Sequence, residues 1–464
     1  KEKQPVHLQI GQTLLKKYDP EKSDVLLFNI VHHLNLARRV KDKWKDRSHL
    51  AELNLKAGRQ ARAASAFEQA LKYFTIGLEL LGDASWKRQY HLALSLHEEA
   101  TEMSSLCGRL DLMEKLAGTV KDNARDDLDM AKVYLCRIQA YTIHREPKKA
   151  METGEEILNK LGYKLSHMSP GQWQQTLVQI KSSLAGKSVA DVMRFEPLNQ
   201  PHAEVIIHII YKLHLSVGLT RVTFDESFWQ SFTLKRISFL LNHFHPQHSP
   251  EFYIHLGYIY CVYTHDYEFG FELGRLGIQL MEALDLKEIN CSVSGGFNRA
   301  VRFYREPLSA SLDPLLEAHK IGIETGDFFN AGSSVVERCL IAFMCGKELN
   351  WLKGELSTLK LALKKIDYII GTPQMEILTK AVMILMEEPS SLSTAIMDPY
   401  DRVTGAEYDY HEQSSFNYHK LVLQFIFEEY EAARETVFEI IGLKKTYKSA
   451  LIDPMTNCYL SLAL

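Results

Sequence analysis

Apolar residues recur along this chain at intervals of three and four, the spacing that lines one face of an α-helix. The most regular stretch runs from Arg47 to Gly82 (RSHLAELNLKAGRQARAASAFEQALKYFTIGLELLG). It predicts a helical hairpin with Leu50 and Ala51 on the first helix, Gly58 at the turn, and Ala63, Phe67 and Ala70 on the second. Small residues let two helices approach closely, and Phe67 is expected to fill the space between them. Such a unit cannot bury its apolar face alone, so it implies neighbours on both sides.

The pass along the chain supplies those neighbours. Val6 to Lys17 predicts a short helix closed by Asp19-Pro20, and Val25, Leu26, Ile30, Leu34 and Ala37 predict the next. His91 to Val120 forms a pair turning at Gly108 and Arg109. Ala131 to Leu161 forms another, with Pro147 suited to the first turn of its second helix. Helical patterns continue at 202–217, 226–241, 252–264, 267–284, 298–305, 308–324, 331–345, 351–365, 373–386 and 415–441, the last with Leu421, Tyr430, Ala433 and Val437 in register. Gly270, Gly274 and Gly277 fall at close-packing positions of a helix. No sustained strand alternation occurs. The expected class is all-α, a right-handed α–α superhelix. Five segments are expected: N-terminal repeats at 1–161, an irregular joint at 162–201 with a short helix at 172–184, central repeats at 202–386, a loop at 387–412, and C-terminal repeats at 413–464.

Composition sharpens this. The 464 residues carry a net charge of −4, with 46% hydrophobic and 24% charged residues. That balance is ordinary for a globular chain and argues against a dedicated nucleic-acid binder. Seven widely spaced cysteines without a CxxC read as small buried hydrophobes in a reducing, cytoplasmic setting. No apolar run is long enough for a membrane span, and the polar, Lys-rich start is not a signal peptide. The non-Met start and the uncapped end suggest a segment of something longer.

Candidate chemistry is sparse. Ala185-Gly186-Lys187-Ser188 has only the tail of a phosphate loop, since Lys181 stands where its first Gly belongs. His243, His245 and His248 could set two imidazoles on one metal ion, although a helix end followed by Pro246 is the plainer reading. His202, His208 and His214 do not share a helical face. Asp122, Asp126, Asp127 and Asp129 suit a helix start. Asp398, Asp401, Glu407 and Asp409 lack the spacing of a calcium loop. Ser294-Gly295-Gly296 reads as a turn, and neither a nucleophile elbow nor a kinase motif is present. The expectation is a segment with no catalytic, cofactor or metal residues.

The hairpins have tetratricopeptide-like spacing. Their expected turns lie about 50 and then about 37 residues apart, against roughly 34 for a strict repeat. Leu50 to Glu102 resembles the helical middle region of large signalling proteins. In that family the array follows an AAA/STAND-type ATPase, often with an N-terminal serine/threonine kinase-like domain. A GAF domain and a sensor histidine kinase or cyclase follow it. His7 to Gly11 (HLQIG), Phe28 to Asn35 (FNIVHHLN), Arg305 to Leu308 (REPL), Leu312 to Glu317, Gly322 to Asp327 and Tyr459 to Leu464 carry the same resemblance. It implies a non-catalytic sensor or scaffold that binds a protein, peptide or effector and regulates neighbouring domains, without nucleic acid or membrane. Asn54, Arg137, Tyr141 and Tyr258, on first helices of pairs, are the candidate groove residues. The alternatives are a small-molecule or metal site within His243 to His265 and a rigid spacer or dimerisation array.

Overall fold

A computed structural model of the chain describes residues 3–18, 24–37, 47–82, 84–144, 146–164, 169–197, 201–219, 234, 241, 243–246, 248–366, 368, 371–387, 410–444 and 451–463. The class is all-α, a solenoid of stacked helical hairpins. Two compact units divide the chain: Lys1–Leu165 with Gln200–Ser216, and Ser166–Asn199 with Val217–Leu464.

The first unit contains α1 (Lys3–Leu15), α2 (Asp24–Ala37), α3 (Arg47–Ala63), α4 (Phe67–Leu81), α5 (Ser85–Arg88), α6 (Tyr90–Leu106), α7 (Leu110–Asn123), α8 (Ala131–Ile143), α9 (Pro147–Lys160) and most of α12 (Pro201–Leu219). Helices pair as α1–α2, α3–α4, α6–α7 and α8–α9, and α3, α6 and α8 pack side by side as the first helices of successive hairpins. Leu50, Ala51, Ala57 and Ala61 bury one face of α3 against Ala70, Leu71 and Phe74 of α4.

The expected turn at Gly58 is displaced. Gly58 lies inside α3, where a Cβ would come within 2.3 Å of the Phe74 ring. Phe74, not the half-buried Phe67, fills that space, and Ala63 ends the first helix. The chain turns instead at Ser65, whose φ is 57°.

One turn recurs throughout. The N–H of Ala66 donates to Ala61 O, closing the helix over left-handed Ser65. The same bond joins Arg109 to Ser104, Glu146 to Tyr141, Tyr163 to Leu158, Leu286 to Met281, Lys347 to Ala342 and Glu429 to Gln424. It satisfies a carbonyl that the helix end would leave bare and reverses the chain in very few residues. Gly108, Gly162 and Gly346 hold the left-handed position in three of these turns, Asp285 and Glu428 in two others.

The second unit holds α10 (Pro170–Leu184), α11 (Val189–Met193), α13 (Ser249–Ile259), α14 (Tyr267–Ala283), α15 (Asn290–Ala300), α16 (Leu312–Thr325), α17 (Phe328–Met344), α18 (Leu349–Lys365), α19 (Thr372–Glu387), α20 (Tyr410–Ile426), α21 (Tyr430–Lys444) and α22 (Ile452–Ala463). Helices α10 and α11 each open in a capping box, Ser169 with Gln172 and Ser188 with Asp191. A two-residue parallel pairing joins Glu196–Pro197 to His243–Phe244.

Glycines bring α13 and α14 together. A Cβ on Gly257 would lie 2.6 Å from Gly270 O, and one on Gly277 2.5 Å from Pro250 O. This is the close packing read from the sequence. Ser294-Gly295-Gly296 is not a turn: it lies within α15, and Gly295 leaves room for the Ser334 hydroxyl. Tyr430 begins α21 and is 47% exposed, so it does not share the buried register of Leu421, Ala433 and Val437. Most of the helix expected at 226–241, residues 38–46, and 388–409 with Asp398, Asp401, Glu407 and Asp409 lie outside the described residues.

The left-handed turns yield a prediction. Gly108→Ala should destabilise the chain by about 1 kcal/mol, because a Cβ is strained there although no neighbour touches it. Ser65→Gly should stabilise it by about 0.5 kcal/mol, relief of strain exceeding the added freedom of the unfolded chain. Thermal melting followed by circular dichroism should shift in opposite directions for the two variants.

Candidate functional site

In the first unit, the neighbouring first helices α3, α6 and α8 carry a ladder of charge. Arg59 and Arg62 are three residues apart on α3, Glu99 and Glu102 three apart on α6, so each pair shares a helical face. Lys132 stands at the start of α8. Arg59 Nε lies 3.0 Å from Glu99 Oε1, and Arg62 Nη1 lies 2.9 Å from Glu99 Oε2 and 3.0 Å from Glu102 Oε2. Lys132 Nζ approaches Glu99 Oε1 at 3.4 Å and Glu102 Oε2 at 3.6 Å.

The Glu99 side chain is 3% exposed, whereas those of Arg59 and Lys132 are 49% and 36% exposed. Burying a lone carboxylate would be costly, and three cations from α3 and α8 compensate it. Their outer faces remain open to solvent. Beside them, burial raises the Glu98 carboxyl to about 6; Glu99 and Asp129 add to the shift, while Lys132 and Arg59 oppose it. The Cys136 thiol, raised to about 12 mainly by burial, is no nucleophile at neutral pH.

A second cluster joins α7, α8 and α9. Arg137 Nε donates to Glu114 Oε1 at 2.9 Å, and its guanidinium lies 5.2 Å from the Tyr134 ring centroid. The Tyr134 hydroxyl donates to Glu156 Oε1 at 2.7 Å, and Lys121 pairs with the same oxygen. Tyr141 is buried near Glu114 and Arg137, and its phenol is raised first by burial and then by Glu114.

The expected groove residues therefore have different fates. Arg137 and Tyr141 come together around Glu114. Asn54 is a correction: it is fully buried, so no ligand reaches it. Its amide exchanges hydrogen bonds with Asn35 at 2.8 and 3.0 Å and donates to Leu50 O, tying α2 to α3. Tyr258 belongs to the second unit, half-buried, its ring 6.2 Å from that of Tyr263.

The His243–His265 region of the second unit is a packing element. Residues Tyr260–Thr264 form a π-turn that ends at left-handed His265. The Tyr260 hydroxyl donates to Leu177 O at 2.5 Å, Trp173 meets Tyr263 edge-on, and Lys181 pairs with Asp266. These contacts fix α10 against the turn. His245 and His248 precede the first turn of α13, with ring centroids 4.5 Å apart. The helix end expected before these histidines belongs to the stretch 226–241, most of which lies outside the described residues. Among the described residues, no group of three or more His, Cys, Asp or Glu could hold a metal ion, and no helix is long and apolar enough to cross a membrane. All seven cysteines are free.

Apolar periodicity did not reveal the charge ladder, which is written in the polar positions between the apolar ones. The signal was present: two arginines three apart on α3, two glutamates three apart on α6, and a lysine opening α8.

No family model matches the chain. It is similar to part of the hybrid signal transduction histidine kinase G of Dictyostelium discoideum, with 23% identity over 216 residues, 41% of this chain and 6% of that protein. The chain thus spans a small fraction of that relative's length. Among solved structures, one match is a Signal Transduction ATPase with Numerous Domains that has a tetratricopeptide repeat sensor, from Pyrococcus horikoshii. It has 13% identity and a TM-score of 0.36, covering 84% of this chain and 60% of that one. A circular tandem repeat protein matches at 11% identity and a TM-score of 0.17, covering 99% and 96%.

Glu98 makes stability depend on pH. Its carboxyl is raised from 4.5 to about 6 in the fold, so the folded state binds more protons than the unfolded one in that window. Stability contributed by the neutral acid is present below pH 4.5 and is lost as pH rises through 6. Glu98→Gln should therefore gain about 1 kcal/mol over the native chain at pH 7.5, allowing for screening, and almost nothing at pH 4. Urea denaturation at the two pH values measures the difference.

Proposed function

We propose that this chain is a non-catalytic helical-repeat region of a multidomain signalling protein. It receives a protein or peptide partner on the first-helix face of its N-terminal unit and biases neighbouring domains of the same protein. The observation that carries this reading is the ladder of Arg59, Arg62, Glu102 and Lys132. Glu99 anchors the three cations from below, Glu102 pairs with Arg62 and Lys132, and all four side chains are partly open above, so a charged partner meets groups already held in place. Stacked hairpins support the reading because successive first helices present one continuous surface. The likeness to part of a signalling histidine kinase supports the setting. The six thiols with a resolved shift are all raised, and their burial favours a packing role over nucleophilic chemistry.

The test is the double variant Arg62→Gln/Lys132→Gln in the full-length parent. Partner affinity, measured by titration, should fall about tenfold or more, the worth of one or two charged contacts. The stimulus response should fall with it, while the helical signal is retained. An unchanged response in the folded variant would refute the binding face. If shortening the array then abolished the response, the spacer reading would replace it.

A further inference from the structure

The second unit carries an open cleft of about 390 Å³ between α14, α15 and the start of α16. That volume is in the range of sites for small ligands. Its floor includes Phe297 and Ile278, and its walls are polar. One wall is preorganised. Buried Asn298 donates its amide to Ser294 O at 2.8 Å and accepts from Arg302 Nη1 at 3.0 Å, while Arg302 Nε donates to Glu306 at 2.7 Å. The Arg302 guanidinium is thereby fixed at the cleft.

The other wall is a stripe of α14. Arg275, Gln279 and Glu282 stand at positions i, i+4 and i+7, so they share one helical face. All three are exposed and make no side-chain hydrogen bond or ion pair among the described residues. The stripe thus offers a free cation, a free amide and a free anion in order. Seven residues of helix span about 10 Å. That matches the end-to-end length of an extended chain of two or three residues, at roughly 3.3–3.6 Å each.

We propose that this cleft binds a short unblocked peptide of two or three residues. The α-carboxylate meets Arg275 and the remaining N–H donors of Arg302, and the α-ammonium meets Glu282. Gln279 hydrogen-bonds the amide between them, and an apolar side chain rests on Phe297 and Ile278. A single amino acid is a poorer fit, because its two α-charges are too close together to reach both ends. This proposal is independent of the partner face on the first unit.

Calorimetric titration of the whole chain with Ala-Leu-Ala tests it. One saturable site is expected. Affinity should drop about tenfold in Arg275→Gln and in Glu282→Gln, one charged contact each. The surface control Lys320→Gln should bind like the native chain. Acetylating the peptide N-terminus should weaken native binding but cause no further loss in Glu282→Gln, a coupling that a merely structural change would not produce. Absence of saturable binding at millimolar peptide would overturn the proposal. So would equal affinity for the doubly capped peptide, or for free alanine.

Discussion

A two-helix hairpin always leaves one apolar face bare, and another hairpin is what covers it. Most other features of this chain follow from that constraint. Helices must turn back within a few residues, or the stack loses contact. The left-handed turn closed by a bond across it does this at Ser65, Gly108, Asp285, Gly346 and Glu428. The helices must also come close, and the glycines at 58, 257, 270 and 277 stand where a Cβ would strike a ring or a carbonyl.

The same constraint explains the buried polar groups. Stacking brings first helices side by side, and a long side chain on one of them is then covered by the next. Glu99 is covered in this way, and α3 and α8 bring Arg59, Arg62 and Lys132 to it. Asn35 and Asn54 solve the problem without charge, each amide satisfying the other. Both arrangements set register, since sliding one helix by a turn would leave a buried polar group unpaired.

Helix existence was legible because the period of the apolar positions is local information. The hairpin at Arg47–Gly82, the pairing of α13 with α14 and the Pro147 start of α9 all follow from it. Turn placement was less legible. Glycine is the usual marker of a left-handed residue, yet here serine, aspartate and glutamate also hold that position, while Gly58 and Gly295 serve close packing inside helices. A glycine thus has two meanings, and only the neighbouring hairpin decides between them. Site residues were harder still. Asn54 sits on a first helix, as a groove residue should, but which side of that helix faces solvent depends on α2, which lies across a charged stretch of sequence.

The ladder also links recognition to packing. Arg59, Arg62 and Lys132 each contact Glu99 with part of the side chain and solvent with the rest. A partner anion drawn to their outer faces, as proposed above, would compete with Glu99 for the same charges. The interaction that holds α3, α6 and α8 in register would then be weakened or redistributed whenever the outer face was occupied. Binding on this face, as proposed above, would then have a differential free energy between packings of the stack, which is what a ligand needs to shift a conformational equilibrium. A surface patch supported by neutral core residues would bind without that consequence. On the proposed binding face, the buried carboxylate would convert contact with a partner into a change in how neighbouring hairpins are held.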